Sequence, residues 1–239
     1  MKFRLLLLGF FIFFIVSYSF AQSVEQFTQY DVTYTILEDG IIEVNKTMSL
    51  RNIHSVGIVP GPVDFRISVL EGNDLEIFDL RATNRHGELI NSNILEIFPY
   101  KIIRVNVFTP ILPGFEYQIN LNYKLELQNS SGLLFKRIQL PLAQDTRVPI
   151  LDGRVTINVP QSHFLTHSSY RDNSTLLSSN SVTFDINEQT PEYVLIEFSR
   201  IPSRIGPIAG SLVFWIMINI ILFSILIIEI TRGFKKREK

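Results

Sequence analysis

The sequence predicts an all-β fold, an antiparallel β-sandwich of two packed units, followed by one C-terminal transmembrane α-helix. Three observations carry this reading. Apolar and polar residues alternate with a period of two through most of residues 22–204, with no sustained 3.6-residue period. Turn-forming residues interrupt that alternation repeatedly, as short antiparallel strands require. Charge-free apolar stretches stand at both ends of the chain, at 5–16 and 205–228.

The elements follow in order. Met1 to Arg4 is a short basic start, and Leu5 to Val16 is apolar. Ser17 to Ala21 then places small residues at the −3 and −1 positions of a cut after Ala21. This is the pattern of a cleaved secretory signal peptide over 1–21. As an anchor, residues 5–20 would rise only ~24 Å, short of a ~30 Å hydrocarbon core.

Val32, Tyr34 and Ile36 alternate with Thr33 and Thr35. Glu38-Asp39-Gly40 makes a turn, and Ile42, Val44, Met48 and Leu50 continue the pattern on the way back. Asp-Gly supplies the positive φ of a tight hairpin. Pro113-Gly114 introduces the longest strand, in which Tyr117, Ile119, Leu121, Tyr123, Leu125 and Leu127 alternate with polar residues. Further strands are expected at 63–70, 75–82, 94–98, 102–108, 134–140, 153–159, 181–186 and 193–199. The first sandwich unit is expected over 22–128 and the second over 129–204, with Gln128 to Gly132 as the boundary and Pro141 to Pro149 as the other candidate.

Residues 205–230 read as a linker and transmembrane helix, the span running from Ile208 to Ile230. The basic tail 231–239 carries Arg232, Lys235, Lys236, Arg237 and Lys239, which act as a stop and set the orientation under the positive-inside rule. The expected localisation is therefore the plasma membrane, single-pass, with the N-terminus extracytoplasmic and the C-terminus cytoplasmic. Asn219, near the middle of the span, is a candidate helix–helix contact.

Composition excludes several function classes. The whole chain has a formal net charge of −1, but residues 22–207 hold 15 Lys and Arg against 21 Asp and Glu. An acidic body offers no basic face to nucleic acid. The absence of cysteine excludes a disulfide-stapled mini-domain and a thiol nucleophile. Three glycosylation sequons, at Asn45, Asn129 and Asn173, are about the number chance produces.

The search for chemistry finds little. His163 and His167 are four apart, but in an extended segment they stand ~13 Å from each other, too far to share a zinc at ~2 Å per bond. Neither G-x-S-x-G nor S-x-x-K occurs, and a Ser/His/Asp triad assembled across loops is a matter for tertiary structure. No catalytic residue, metal site or cofactor is predicted, and the chain is expected not to be an enzyme.

The order of features resembles the membrane-anchored β-sandwich ectodomains related to the N-terminal part of ribophorin I, and prokaryotic (archaeal and bacterial) surface proteins of the same build. Tyr30 to Ile36 with Glu38-Asp39-Gly40, then Met48 to Asn52, Leu112 to Tyr117 leading into Leu121 to Tyr123, and Val155 to Pro160 carry the resemblance. It implies an accessory, non-catalytic role with no catalytic residue to carry over.

The expected function is thus a non-catalytic single-pass protein whose exported sandwich binds or braces another envelope component. The expected partners are the lipid bilayer and a protein, with no nucleic acid. Gly61-Pro62, Pro110 to Pro113 and Pro141 to Pro149 are the loop sites expected to meet the protein partner. The alternative is an accessory subunit of a larger membrane complex, docking also through Asn219 and Phe214 to Met217. An extracytoplasmic hydrolase comes third.

Overall fold

A computed structural model describes residues 23–69, 75–127, 130–131, 135–142, 146–171, 173–187, 189–201 and 212–237. The strands are β1 (Glu25–Ile36), β2 (Ile42–Asn52), β3 (Gly61–Ser68), β4 (Leu75–Asn84), β5 (Leu89–Ile90), β6 (Ser92–Ile97), β7 (Tyr100–Val107) and β8 (Glu116–Leu127). They continue with β9 (Ser130–Ser131), β10 (Phe135–Pro141), β11 (Gly153–Asn158), β12 (Phe164–Ser168), β13 (Leu176–Leu177), β14 (Ser181–Asp185) and β15 (Tyr193–Ser199). Among the described residues one helix, α1, spans Leu212–Arg237.

The predicted hairpin forms as the alternation requires. β1 and β2 pair antiparallel from Ile36↔Ile42 down to Glu25↔Asn52. Gly40 sits at φ 91° in the turn, where Gly carries no Cβ penalty, and Asp39 accepts the Ile41 N–H at 3.0 Å. An eight-stranded sheet grows outward from this hairpin in the order β13-β14-β11-β1-β2-β8-β4-β5. A four-stranded sheet, β12-β15-β10-β9, and a three-stranded sheet, β3-β7-β6, complete the fold.

The inward-facing residues of all three sheets form one core. Phe65 of the three-stranded sheet packs on Phe27 and Tyr30 of β1, with ring centroids 6.3 and 6.4 Å apart. At the other side, Tyr170, just after β12, meets Phe184 of β14 edge-on at 5.0 Å. The expected boundary at 128/129 lies between β8 and β9, and strands from both sides of it share the large sheet. The junction is the β1–β11 pair, which is parallel, with Tyr30↔Gly153 through Thr35↔Asn158 in register. Gly153 opens β11 where space is short: a Cβ there would stand 2.9 Å from Ile150 Cγ2 and 3.0 Å from Ile186 Cδ1.

The β-sandwich expectation agrees with this architecture, whereas the C-terminal transmembrane helix is overturned. Among the described residues no helix is long and apolar enough to cross a membrane. In the described helix, Leu212–Arg237, the charges begin at Glu229. Its charge-free part runs only from Leu212 to Ile228, because Glu229 follows. At 1.5 Å per residue the described charge-free run rises about 25 Å, less than the ~30 Å hydrocarbon core. The single-pass plasma-membrane topology inferred from a span over 208–230 falls with it. The expected leader and its cut at Ala21 lie outside the described residues, as do 205–211 and Lys239.

Candidate functional site

At one end of the large sheet two loops converge on a single asparagine. β2 ends at Asn52, which is fully buried. Its Nδ2 donates to Val56 O and to Ile111 O, each at 2.8 Å, and its Oδ1 accepts the His54 N–H at 2.8 Å. The backbone joins in: Asn52 N–H donates to Phe115 O at 3.1 Å, and Gly114 N–H donates to Asn52 O at 2.9 Å. Ile58 and Ile111 exchange hydrogen bonds of 3.0 and 2.8 Å. Loop 53–60 and loop 108–115 are thereby fastened to each other and to the sheet.

What these ordered loops present is apolar. Phe108 is 67% exposed and Phe115 65%, with Ile53, Val56, Val59 and Leu112 exposed around them. Neither loop contains Asp, Glu, Lys or Arg. Ordering a loop costs backbone entropy, and an isolated chain recovers none of it from side chains left in water. The exposed apolar cluster thus stands on a stiffened support.

Two of the loop sites expected from the sequence come together here. Pro110 to Pro113 lies in the second loop, and Gly61-Pro62 begins β3 beside it, with Gly61 opposite Val107. The third, Pro141 to Pro149, reaches the same end of β1, since Phe27 N–H donates to Pro149 O and Leu151 N–H to Phe27 O, both at 2.8 Å.

A second cluster joins the β1–β2 turn to the segment after β11. The Ser162 hydroxyl donates to Glu38 Oε1, and its oxygen lies 2.8 Å from His163 Nδ1. His163 is buried, its ring edge-on to Phe198 at 5.4 Å. The residue types are those of a catalytic triad, but the wiring is not. In a triad the histidine accepts the serine proton and the acid holds the far side of the ring. Here acid and imidazole meet the same serine oxygen. The hydroxyl donates to the carboxylate, and the serine oxygen can then accept from Nδ1 in the tautomer that carries its proton there. The Ser162 hydrogen bond, first, and nearby cations hold the Glu38 carboxyl below its usual range. Burial holds the His163 imidazole below its usual value. The cluster is a latch between two loops.

The two histidines weighed as metal ligands part company. His163 faces Ser162 and Phe198, whereas His167 lies on β12 opposite Glu197. Among the described residues no group of three or more His, Cys, Asp or Glu is placed to hold a metal ion.

Two buried charges escaped the sequence reading. Glu197 on β15 is fully buried, accepting from Arg137 Nε at 2.8 Å and from Thr166 Oγ1 at 3.0 Å. Lys46 is 1% exposed. Its Nζ donates to Tyr30 Oη at 3.3 Å and stands 5.2, 5.6 and 5.8 Å from the ring centroids of Phe65, Tyr30 and Tyr123. Burial pushes its ammonium down to about 7. A signal for Lys46 was present, because it occupies the inward register of Ile42, Val44, Met48 and Leu50.

The remaining predicted positions are scattered. Asn45 is exposed on β2 and Asn173 is exposed in a turn, while Asn129 lies outside the described residues. Asn219 is exposed on α1, and Arg232, Lys235, Lys236 and Arg237 belong to its C-terminal part.

No family model matches the chain. It is 27% identical over 128 residues to an uncharacterised protein of Methanocaldococcus jannaschii, covering 54% of this chain and 86% of that protein. Among solved structures it is similar to a protein of Legionella pneumophila proposed to bind nutrients, with TM-score 0.50 and 11% identity over 74% of this chain and 68% of that one. It is also similar to an M1 zinc metallopeptidase of Deinococcus radiodurans, with TM-score 0.38 and 14% identity, over 74% of this chain and 43% of the peptidase. At such identities the likeness concerns the fold alone, and the chain spans less than half of the peptidase.

Proposed function

We propose that this chain is a non-catalytic binding module that braces a protein partner through the apolar loop tip. One observation carries the reading: Asn52 holds two uncharged loops in a fixed shape that displays Phe108, Leu112 and Phe115 to solvent. Large apolar side chains on a stiff support lose little entropy on docking, which is what makes such positions effective anchors. The non-catalytic part of the proposal draws on the Ser162 latch, in which the serine hydroxyl donates to Glu38 and the acid does not hold the far side of the His163 ring. The accessory role implied by the ribophorin resemblance is of the same kind.

A photoreactive amino acid at position 56, beside the aromatic pair, tests the proposal in the native cell. We expect a discrete crosslinked protein, identified by mass spectrometry, that disappears when Phe108→Ser and Phe115→Ser are combined. Crosslinking confined to the monomer, or a crosslink indifferent to both substitutions, refutes it.

A further inference from the structure

On the solvent face of the large sheet, beside the loop tip but separate from its apolar side chains, lies a polar recess of about 470 Å³. That volume falls within the ~300–1,000 Å³ common for small-molecule sites. We propose that this recess binds a neutral sugar unit, with Glu116, Gln118 and Asn84 as the principal contacts.

The walls come from four places in the sequence. Ser49 is on β2, Glu116, Tyr117 and Gln118 are on β8, Thr109 is in loop 108–115, and Asn84, Arg85, His86 and Glu88 run from the end of β4 through the turn into β5. Their polar groups are positioned before any ligand arrives. Asn84 Oδ1 accepts the N–H groups of His86 and Glu88 at 2.9 and 3.0 Å, and its Nδ2 donates to Glu88 Oε2 at 2.7 Å. Gly87 completes this turn at φ 80°. Across the recess, Thr28 Oγ1 donates to Glu116 Oε1 at 3.0 Å. Gln118 Nε2 donates to Asn120 Oδ1 at 3.1 Å, which leaves the Gln118 carbonyl as an acceptor.

Charge and chemistry narrow the ligand class. Glu88 and Glu116 are matched by Arg85 on the turn and by Arg51, the cross-strand neighbour of Glu116, so the formal charges around the recess cancel. A strongly charged ligand would find no net complement. A ligand rich in hydroxyl groups would, because carboxylates accept, amides do both, and hydroxyls such as Ser49 and Thr109 adapt. Fixed donors and acceptors at a rigid sheet surface lower the entropy cost of binding.

The test uses the full chain and saturation-transfer NMR with four named probes: maltose, diacetylchitobiose, lactose and mannobiose. Sialyllactose and an arginine-containing tripeptide serve as charged comparisons. We expect at least one neutral sugar to bind at millimolar concentration. Glu116→Ala and Gln118→Ala should each weaken it about ten- to a hundredfold, since hydrogen bonds to charged and amide groups are being removed. His86→Ala, on an exposed turn, should weaken it without threatening the fold and keeps the test decisive if a strand variant unfolds. Phe108→Ser should leave sugar binding unchanged, which separates this site from the protein-docking tip. Failure of all four neutral probes to bind overturns the proposal. So does binding indifferent to Glu116→Ala, Gln118→Ala and His86→Ala, or a preference for either charged probe.

Discussion

Replacing Lys46 by methionine should stabilise the fold at neutral pH, and the gain should vanish in alkali. The ordinary ammonium value of 10.5 falls to about 7 in the core. At ~1.4 kcal/mol per pH unit, that drop corresponds to about 5 kcal/mol of burial penalty at pH 7 and below. The folded state releases its proton more readily than the unfolded chain, so the unfolded state binds more protons between about pH 7 and 10.5. Stability from this group therefore rises with pH across that window, and the penalty is absent above it. Methionine keeps the length and apolar character of the side chain, but it forfeits the Tyr30 hydrogen bond, worth ~1 kcal/mol, and the favourable ring contacts of the ammonium. The expected net gain for Lys46→Met is about 2–4 kcal/mol at pH 7, shrinking to zero or below by pH 10. Urea unfolding of both chains at several pH values between 7 and 10 measures it, provided the slopes with urea agree. Parallel pH profiles, or a methionine chain less stable at pH 7, would refute the buried-amine argument.

Two further substitutions probe the framework. Asn52→Ala removes two side-chain donors and one acceptor from a buried position; a loss of about 2–4 kcal/mol is expected, with faster amide exchange in 53–60 and 108–115, and unchanged exchange there would sink the hub assignment. Arg137→Met leaves the fully buried Glu197 carboxylate without its cation and should cost about 3–5 kcal/mol. Adding Glu197→Leu should restore much of that loss, which a double-mutant cycle by chemical denaturation reads directly.

Much of the strand map is legible in the chain. Residues 42–50 and 117–127 alternate because a strand shows each face every second residue, and burial in β2 and β8 follows that alternation. The same rule, applied without exempting charge, places Lys46 inside. Segment 164–168 gave no such pattern: β12 carries a register shift between Leu165 and His167, and a bulge of this kind breaks the alternation. The reading of 208–230 as a transmembrane helix came from an apolar run followed by a basic stop, which registers composition and not the extent of a helix; in α1 the described charge-free run is 212–228, ended by Glu229.

By itself, then, the sequence determined the secondary-structure class, most strand positions, the Asp39-Gly40 turn and one of the two loops that make the tip. These are local properties, set by the period of the backbone and by the φ angles that turns demand. Tertiary structure alone decided the parallel β1–β11 junction, the wiring of Ser162 to Glu38 and His163, and the meeting of Asn52 with Ile111. Each of these joins residues distant along the chain, and such pairings depend on which sheets pack together to share a core, a choice no local period encodes.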